Sequence, residues 1–405
     1  MSRTYLEKKL AKKRVRALLR YEFYEQKKTS YDLGISTPQG LECFNVVNGW
    51  CSKAVDGLAD RLQFDRFEND DLMFGDMFDR NNPDIFFDDS ILSSLITACS
   101  FVYISRGEKG IRFETIDGTN ATGTLDNFTK LLTEGYAVLK RDKYDNPEQW
   151  AYFTPGRTEV YEAGTNEPVA VETFDSKYCA LVPIIYKPDA KRPFGHSRIS
   201  RACMDYAMSA MRTVKRTEIS AEFYSFPQKY ATGLSQDAEM LDTWQATMSA
   251  MLTFTKDEDG ERPTLGQFQQ GSMEPHLSQL KATASMFAGE TGLTLDDLGF
   301  NTSNPSSAEA IKAGHESLRL TAVKAQRCFS VGFKNVGYIG ACLRDDYNYS
   351  REAIFETKCL WKPVFEPDAA MLSLIGDGVL KLNQAMENGG SYIDEERMRR
   401  LTGIE

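Results

Sequence analysis

The sequence predicts an α+β chain built of several lobes, and three observations carry that prediction. Apolar residues recur every three to four positions over several long segments, the spacing of helices with one buried face. Between residues 101 and 186 the pattern changes to short β-branched and aromatic runs, FVYIS, GYAVLKR, QWAYFT, EVYEA, PVAVETF and LVPIIYK, separated by Gly, Asn and Pro. The chain is 405 residues long, more than one hydrophobic core usually holds, so two to four lobes are expected.

Residues 1–39 read as a basic arm. Over residues 1–30, ten Lys/Arg against three Glu give +7, so the remainder carries −17 to reach the net −10. Such asymmetry marks an arm that touches nucleic acid or an acidic neighbour, or else an amphipathic helix packing Leu6, Leu10, Val15 and Leu18 on a body. The packed helix is the simpler reading. Residues 40–62 follow as a helix with Phe44, Val47, Cys51, Val55, Leu58 and Leu62 on one face. Residues 70–89 are acidic and aromatic-rich, and 91–98 continue as helix. The strands of 101–186 are expected to form antiparallel hairpins, because no helices of crossover length separate the later ones.

A second clear helix spans 197–226, where Ile199, Cys203, Tyr206, Ala210, Val214 and Ala221 keep helical spacing and Pro227 stops it. Ser197 is placed as its cap. Its polar side carries Arg198, Arg201, Arg212, Lys215 and Arg216, with Glu218 and Glu222. Residues 227–273 form a compact insert: a strand-like QKYATG containing Gln228, Lys229 and Tyr230, a helix near 238–252, a charged turn with Lys256, Asp257, Glu258 and Asp259, then TLGQFQ. A shorter helix over 274–290 aligns Leu277, Leu280, Ala284 and Phe287.

The most informative stretch comes next. The loop 291–305 holds two glycines, Thr294, Asp296, Asp297, Asn301, Thr302, Ser303 and Asn304, and no lysine or arginine. Ser306 and Glu309 have the S-x-x-E spacing of a capping box, with Pro305 just upstream. Ala308, Ile311, Ala322, Phe329, Phe333, Val336 and Ile339 then keep helical spacing, which predicts a helix over 307–343 about 55 Å long at about 1.5 Å per residue. An amphipathic helix over 368–387 and a short one over 394–401 close the chain.

Several chemistries lack their usual residues. No G-x-x-x-x-G-K-[ST] loop is present, and no G-x-G-x-x-G follows a strand, so a nucleotide cradle is missing. The three histidines, His196, His276 and His315, stand apart from any second ligand, and the eight cysteines include no C-x-x-C pair. Neither a cofactor nor a metal is expected, and the cysteines read as reduced core residues. His196 beside Ser197 is not a catalytic pair, since adjacent residues rarely face each other. Asp70/Asp71, Asp88/Asp89, Asp296/Asp297 and Asp345/Asp346 could attract a divalent cation, but such pairs are common at helix starts and turns. No apolar run is long enough to span a membrane, and MSRTYLEKKLAKKRVRALLR lacks the apolar core of a secretory signal.

Three segments in order resemble the portal proteins of tailed bacteriophages of the siphophage type. PFGHSRISRACMDYAMSAMRTVKRTEISAEFYSFPQKYATGL is similar to that family's Gly-x-Ser turn, long helix and Pro-Gln leading into a strand. TGLTLDDLGFNTSNPSSAEAIKAGHESLRL with KAQRCFSVGF resembles its loop and Ser-Ala-Glu-Ala-Ile helix start, and FNVVNGWCSKAVDGLADRLQFDRF its early segment. The similarity spans most of residues 40–345.

The resemblance implies a subunit with a β-rich wing (40–196), stem helices at 197–226 and 274–290, and a small α/β clip at 227–273. A tunnel loop (291–305), a long wing helix (306–345) and a C-terminal wing or short crown (346–405) complete it. It further implies a non-enzymatic ring of twelve copies at one capsid vertex, assembled in the host cytoplasm, through which double-stranded DNA passes. Its partners would be terminase, a head–tail adaptor and the major capsid or scaffold protein, with no membrane. The loop residues Thr294, Asp296, Asp297, Asn301, Thr302, Ser303 and Asn304 would line the channel. Arg198, Arg201, Arg212, Lys215 and Arg216 would belong to the stem. Gln228, Lys229, Tyr230 and Lys256 to Asp259 would serve clip docking. Two other classes stay open: an adaptor or minor head protein, which should not share this order of elements, and a metal-dependent nucleic-acid enzyme, which needs an acid cluster or phosphate loop.

Overall fold

The computed structural model describes residues 3–29, 45–108, 110–165, 167–225, 229–232, 264–267, 271–300, 313–365, 369–384, 393–395 and 397–398. Helices and wholly antiparallel sheets make it an α+β chain. It divides into two compact units, one of Met1–Glu25, Gly49–Arg201 and Thr291–Glu405, the other of Gln26–Asn48 and Ala202–Glu290.

The first unit begins with α1, Arg3–Tyr24. Leu6 and Leu10 pack with Tyr136 and Val138 as expected, with Trp150 and Tyr152 alongside. Val15 and Leu18 instead face outward, 71% and 38% exposed, while Ala17 and Phe23 are buried. The buried stripe therefore rotates along the helix. Several of its polar groups are fixed by the body, among them the Lys9 ammonium, which donates to the Gly123 carbonyl at 2.6 Å, Lys13 to Ala121 at 3.2 Å, and the Tyr21 hydroxyl to Asp117 at 2.6 Å.

The expected helix 40–62 is shorter: α2 runs Trp50–Ala59, and residues 45–49 precede it without helical structure. Asn48-Gly49 is a poor helix interior, so the turn starts after it. After β1, Phe64–Glu68, Asp70 caps α3, Phe74–Asp79, by accepting from the Phe74 and Gly75 N–H groups at 2.7 Å each. Helix α4, Pro83–Thr97, has proline at its first turn, where the missing N–H costs nothing.

The β-rich region forms as predicted. Strands β2 (Cys99–Gly107), β3 (Gly110–Ile116) and β9 (Leu181–Ile185) make a three-stranded sheet in the order β3-β2-β9. A five-stranded meander joins β4 (Ala121–Leu125), β5 (Leu132–Arg141), β6 (Pro147–Thr154), β7 (Arg157–Glu162) and β8 (Ala170–Thr173) in sequence order. All five residues of β9 are buried, which is why LVPII lacks the alternation of a half-exposed strand.

The second unit holds α5, Arg201–Ser225, and α6, Glu274–Thr291. Between them in sequence lies an antiparallel ladder of β10, Lys229–Thr232, and β11, Thr264–Gln267, in the register Lys229↔Gln267 to Thr232↔Thr264. Helix α5 starts four residues after Ser197, which is not its cap. The Ser197 hydroxyl accepts from the Ile199 N–H at 3.0 Å and donates to the Ile96 carbonyl at 2.6 Å, closing the end of α4 instead.

The long helix returns to the first unit as α7, Glu316–Asp345, 30 residues and so about 45 Å. The expected helix start at Ser306 and Glu309 lies outside the described residues; helical geometry at 313–314 breaks at His315 and then runs unbroken. Gly314 ahead of the break weakens the helix there. Leu318, Ala322, Ala325 and Phe329 bury one stripe, and from Phe333 to Leu343 most of the circumference is buried. Phe333 meets Phe87 edge to face at 4.6 Å, and Phe87 stacks on Phe64 at 4.1 Å, locking β1, α4 and α7 into one core. The Arg106 guanidinium of β2 donates to the Leu343 carbonyl at 3.1 Å, satisfying an orphan acceptor at the C-terminal end of α7. Strand β12, Lys358–Trp361, pairs with β1, and α8, Ala369–Gln384, covers the core of the expected 368–387 helix. Of the expected 394–401 helix, residues 395, 397 and 398 are helical and the rest lie outside the described residues.

Candidate functional site

The loop ahead of α7 is described up to Phe300, and a tight turn organises it. The Thr294 N–H and hydroxyl both donate to Asp297 Oδ2 at 2.8 Å, and the Asp297 N–H returns to the Thr294 hydroxyl at 3.2 Å. This reciprocal T-x-x-D exchange opens a 3-10 turn, Asp296–Leu298, which Gly299 closes at φ 88°, a conformation that favours glycine. The Phe300 N–H donates back to the Leu295 carbonyl at 3.0 Å, and its ring meets Trp50 of α2 edge to face at 6.4 Å. Buried Leu293 packs on Gly57 of α2.

Arg198 fastens this root, and His315 lies against it. Arg198 donates from Nε to the Ala54 carbonyl at 3.2 Å and from Nη2 to the Thr291 carbonyl, tying the start of the loop to α2. His315, at the start of α7, brings Nδ1 to 3.8 Å from Asp297 Oδ2 and lays its ring beside Phe365 at 6.0 Å. The Arg61 guanidinium sits over Phe365 at 5.1 Å. Burial pushes the Asp297 carboxyl up, but the two hydrogen bonds from Thr294 and the charges of His315 and Lys53 outweigh it, so its pKa is lowered overall.

The structure thus places the loop residues differently from one another. Asp296 is exposed, Thr294 and Asp297 are half-buried in the turn, and Asn301, Thr302, Ser303 and Asn304 lie outside the described residues. Of the five cations assigned to the stem helix, Arg201, Arg212 and Arg216 are exposed on α5. Arg198 precedes the helix and serves as the clamp just described. Lys215 is 2% exposed, because it falls on the stripe of Met208, Met211 and Ile219 at helical spacing. Lys229 and Tyr230 lie on β10; Gln228, Lys256, Asp257, Glu258 and Asp259 lie outside the described residues. His315 escaped sequence reasoning, although Thr294-x-x-Asp297 carried the same capping signal as Ser306-x-x-Glu309.

The geometry brings no catalytic pair together at His196. Its Nε2 lies 2.6 Å from Asp189 Oδ2, while the Ser197 hydroxyl turns to the end of α4. The hydrogen bond from His196 is the main cause of a lowered Asp189 pKa. Among the described residues, no group of three or more His, Cys, Asp or Glu could hold a metal, and no helix is long and apolar enough to cross a membrane.

Comparison with known proteins gives the following relatives. No family model matches the chain. A protein named Portal protein, from Mycobacterium phage D29, is 23% identical over 406 aligned positions, covering 94% of this chain and 81% of that protein. A second Portal protein, from Mycobacterium phage L5, is 23% identical over 323 positions, covering 73% of this chain and 65% of its own length. Among solved structures, the neck of a native gene transfer agent particle, computed with C12 symmetry, is 14% identical with a TM-score of 0.47, over 88% of this chain and 90% of that one.

Proposed function

We infer that this chain is a portal protein, the subunit of a ring at one vertex of a phage capsid. The observation that carries the inference is the alignment of a protein named Portal protein with 94% of the chain. The order of the elements supports it: helix α5, the β10–β11 ladder, helix α6, an uncharged-to-acidic loop, then the 30-residue α7. In this reading α5 and α6 form the stem, the ladder belongs to the clip, and the β2–β9 region with α7 forms the wing. The loop after Thr291 lines the channel.

The physical chemistry suits a conduit. Every Lys or Arg that grips a phosphate adds salt-sensitive affinity and so holds DNA in place. The chain carries net charge −10, and residues 292–305 include no cation. The ring would let double-stranded DNA slide while terminase, a separate motor, supplies the work. The chain itself performs no catalysis in this reading; exposed Arg201, Arg212 and Arg216 are left to meet neighbouring subunits or the capsid edge. The clip would receive terminase first and a head–tail adaptor afterwards.

The test is a phage genome deleted for this chain and complemented in trans. Particles made without it should be empty of DNA, and labelled chain should occupy one vertex of each filled particle. DNA-filled particles in its absence, or label spread over all vertices, would contradict the reading.

A further inference from the structure

The inference here rests on the ring reading and asks which surfaces join one copy to the next. A closed ring of identical subunits uses a heterologous contact, one patch on each copy meeting a different, complementary patch on its neighbour. The first unit carries two such patches, one along the outward side of α1 and one at the start of α4.

The first patch is the outward side of α1. Lys8, Lys12 and Arg16 are exposed, and none has an acid within ion-pair distance among the described residues. Exposed Val15 and Leu18 lie beside them and form one rim of a groove of about 610 Å³, whose other wall includes Tyr136, Val138 and Trp150 of the meander. The Trp150 indole N–H is buried there without a hydrogen-bond partner among the described residues. A basic helix face beside an apolar groove calls for an acidic partner with an apolar tip.

The second patch answers that description. At the start of α4, Ile85 is 65% exposed and is flanked by exposed Asp84, Asp88 and Asp89, with Asp60 nearby. Asp84 and Asp88 are like charges one turn apart, an arrangement that costs helix stability. No cation pairs with any of the four among the described residues. Burial and then the neighbouring acids Asp84, Asp89 and Asp60 hold the Asp88 pKa above its ordinary value. Asp60 of this patch caps the C-terminal end of α2, whose Asp56 accepts from the Tyr24 hydroxyl in the last turn of α1 at 2.9 Å. The groove is lined from Arg3 to Leu18, so the two patches are staggered along the helix rather than superposed.

We propose that successive copies of this chain join head to tail, with Ile85 and its acids on one copy seated against the α1 face and groove of the next. The contact matches a basic and apolar face to an acidic and apolar one, each without an ion-pair partner among the described residues. It leaves both patches of every subunit occupied only when the ring closes.

The test uses the full chain assembled in its capsid context, with rings counted by mass photometry and negative-stain images. Lys12→Glu with Arg16→Glu, and separately Asp84→Lys with Asp88→Lys, should each lower the ring fraction at least about tenfold, because like charges then face each other. The chain carrying all four substitutions should recover rings to within about threefold of the unsubstituted chain, since the pairing is restored with reversed sign. Circular dichroism of each variant checks that the exposed changes leave the fold intact. A photo-crosslinking residue at Val15 should capture a peptide of α4 from a second copy. Rings that persist in both reversed variants, a fourfold variant no better than either pair, or a crosslink elsewhere would overturn the contact while leaving the ring reading intact. Variants at Lys12 and Arg16 that form rings but lose bound DNA would assign the face to nucleic acid instead and overturn it equally. An unsubstituted chain that forms no ring in any context would sink the ring reading, and the contact with it.

Discussion

Asp297 and His315 face each other across the base of the loop, with Asp297 Oδ2 3.8 Å from His315 Nδ1, so the two ends of a stretch that includes residues 301–312 meet at one carboxylate. The same oxygen takes both hydrogen bonds from Thr294. The turn is therefore clasped at the loop's root by Thr294, with the His315 ring of the start of α7 beside the same carboxylate.

The clasp predicts a pH dependence. The folded pKa of Asp297 is lowered, so the group contributes stability that is fully present above its unfolded value and lost as pH falls through the folded one. With an unfolded value of about 3.9, the loss should fall in the acid range below about pH 4. Asp297→Asn should flatten that part of the stability curve, and Asp297→Ala should cost about 1 kcal/mol through loss of the cap. Denaturant unfolding across pH measures both.

Asp296 is the exposed acid of the pair and makes no cap bond, so Asp296→Lys should leave folding and ring formation unchanged. It should lower the DNA packaged per particle, because a cation now grips the passing phosphates. Packaging assays at two salt concentrations check this, with recovery expected at the higher one. Unchanged packaging would remove Asp296 from the channel.

Close helix contact predicts opposite outcomes for two glycines. A Cβ at Gly337 of α7 would stand 2.5 Å from the Phe74 ring, whereas at Gly376 of α8 it meets nothing within 4 Å. Gly337→Ala should destabilise by about 1–3 kcal/mol despite alanine's better helix propensity. Gly376→Ala should be neutral or stabilise by up to about 1 kcal/mol. Thermal unfolding of the two variants separates packing from propensity.

The Asp117 carboxylate ties α1 to the body. Its oxygens accept from the Tyr21 hydroxyl and the Ser93 hydroxyl at 2.6 Å and from the Thr119 N–H at 2.7 Å. Burial, with the neighbouring Asp117 charge, pushes the Tyr21 hydroxyl well above its ordinary pKa, so it stays a donor at any working pH. Tyr21→Phe should cost about 1–2 kcal/mol and raise amide exchange in α1.

Much of this architecture is legible in the residues themselves. The short β-branched and aromatic runs of 101–186, broken by Gly, Asn and Pro, mark antiparallel strands, and the spacing of Phe329, Phe333 and Val336 marks the long helix. Helix starts are harder to read, because local breakers compete with an amphipathic pattern that continues through them. Asn48-Gly49 delays α2 and Gly314-His315 interrupts the long helix, while the apolar spacing alone runs across both. Lys215 shows a second limit: a charged residue on the buried stripe of α5 reads as polar surface until the phase of Met211 and Ile219 is set. At the loop, Asp296-Asp297 reads as a uniform acidic pair, yet one carboxylate is exposed and the other is spent on Thr294. The contribution of His315 was not legible, since 18 positions separate it from Asp297 and only the fold brings them together.

The most direct measurement is the mass of the assembled particle, by mass photometry with images of the same sample. Twelve copies of the 45.7 kDa chain weigh about 550 kDa, and a ring of that mass with a central hole wide enough for a duplex is the predicted result. A dimer or tetramer without a hole would contradict it.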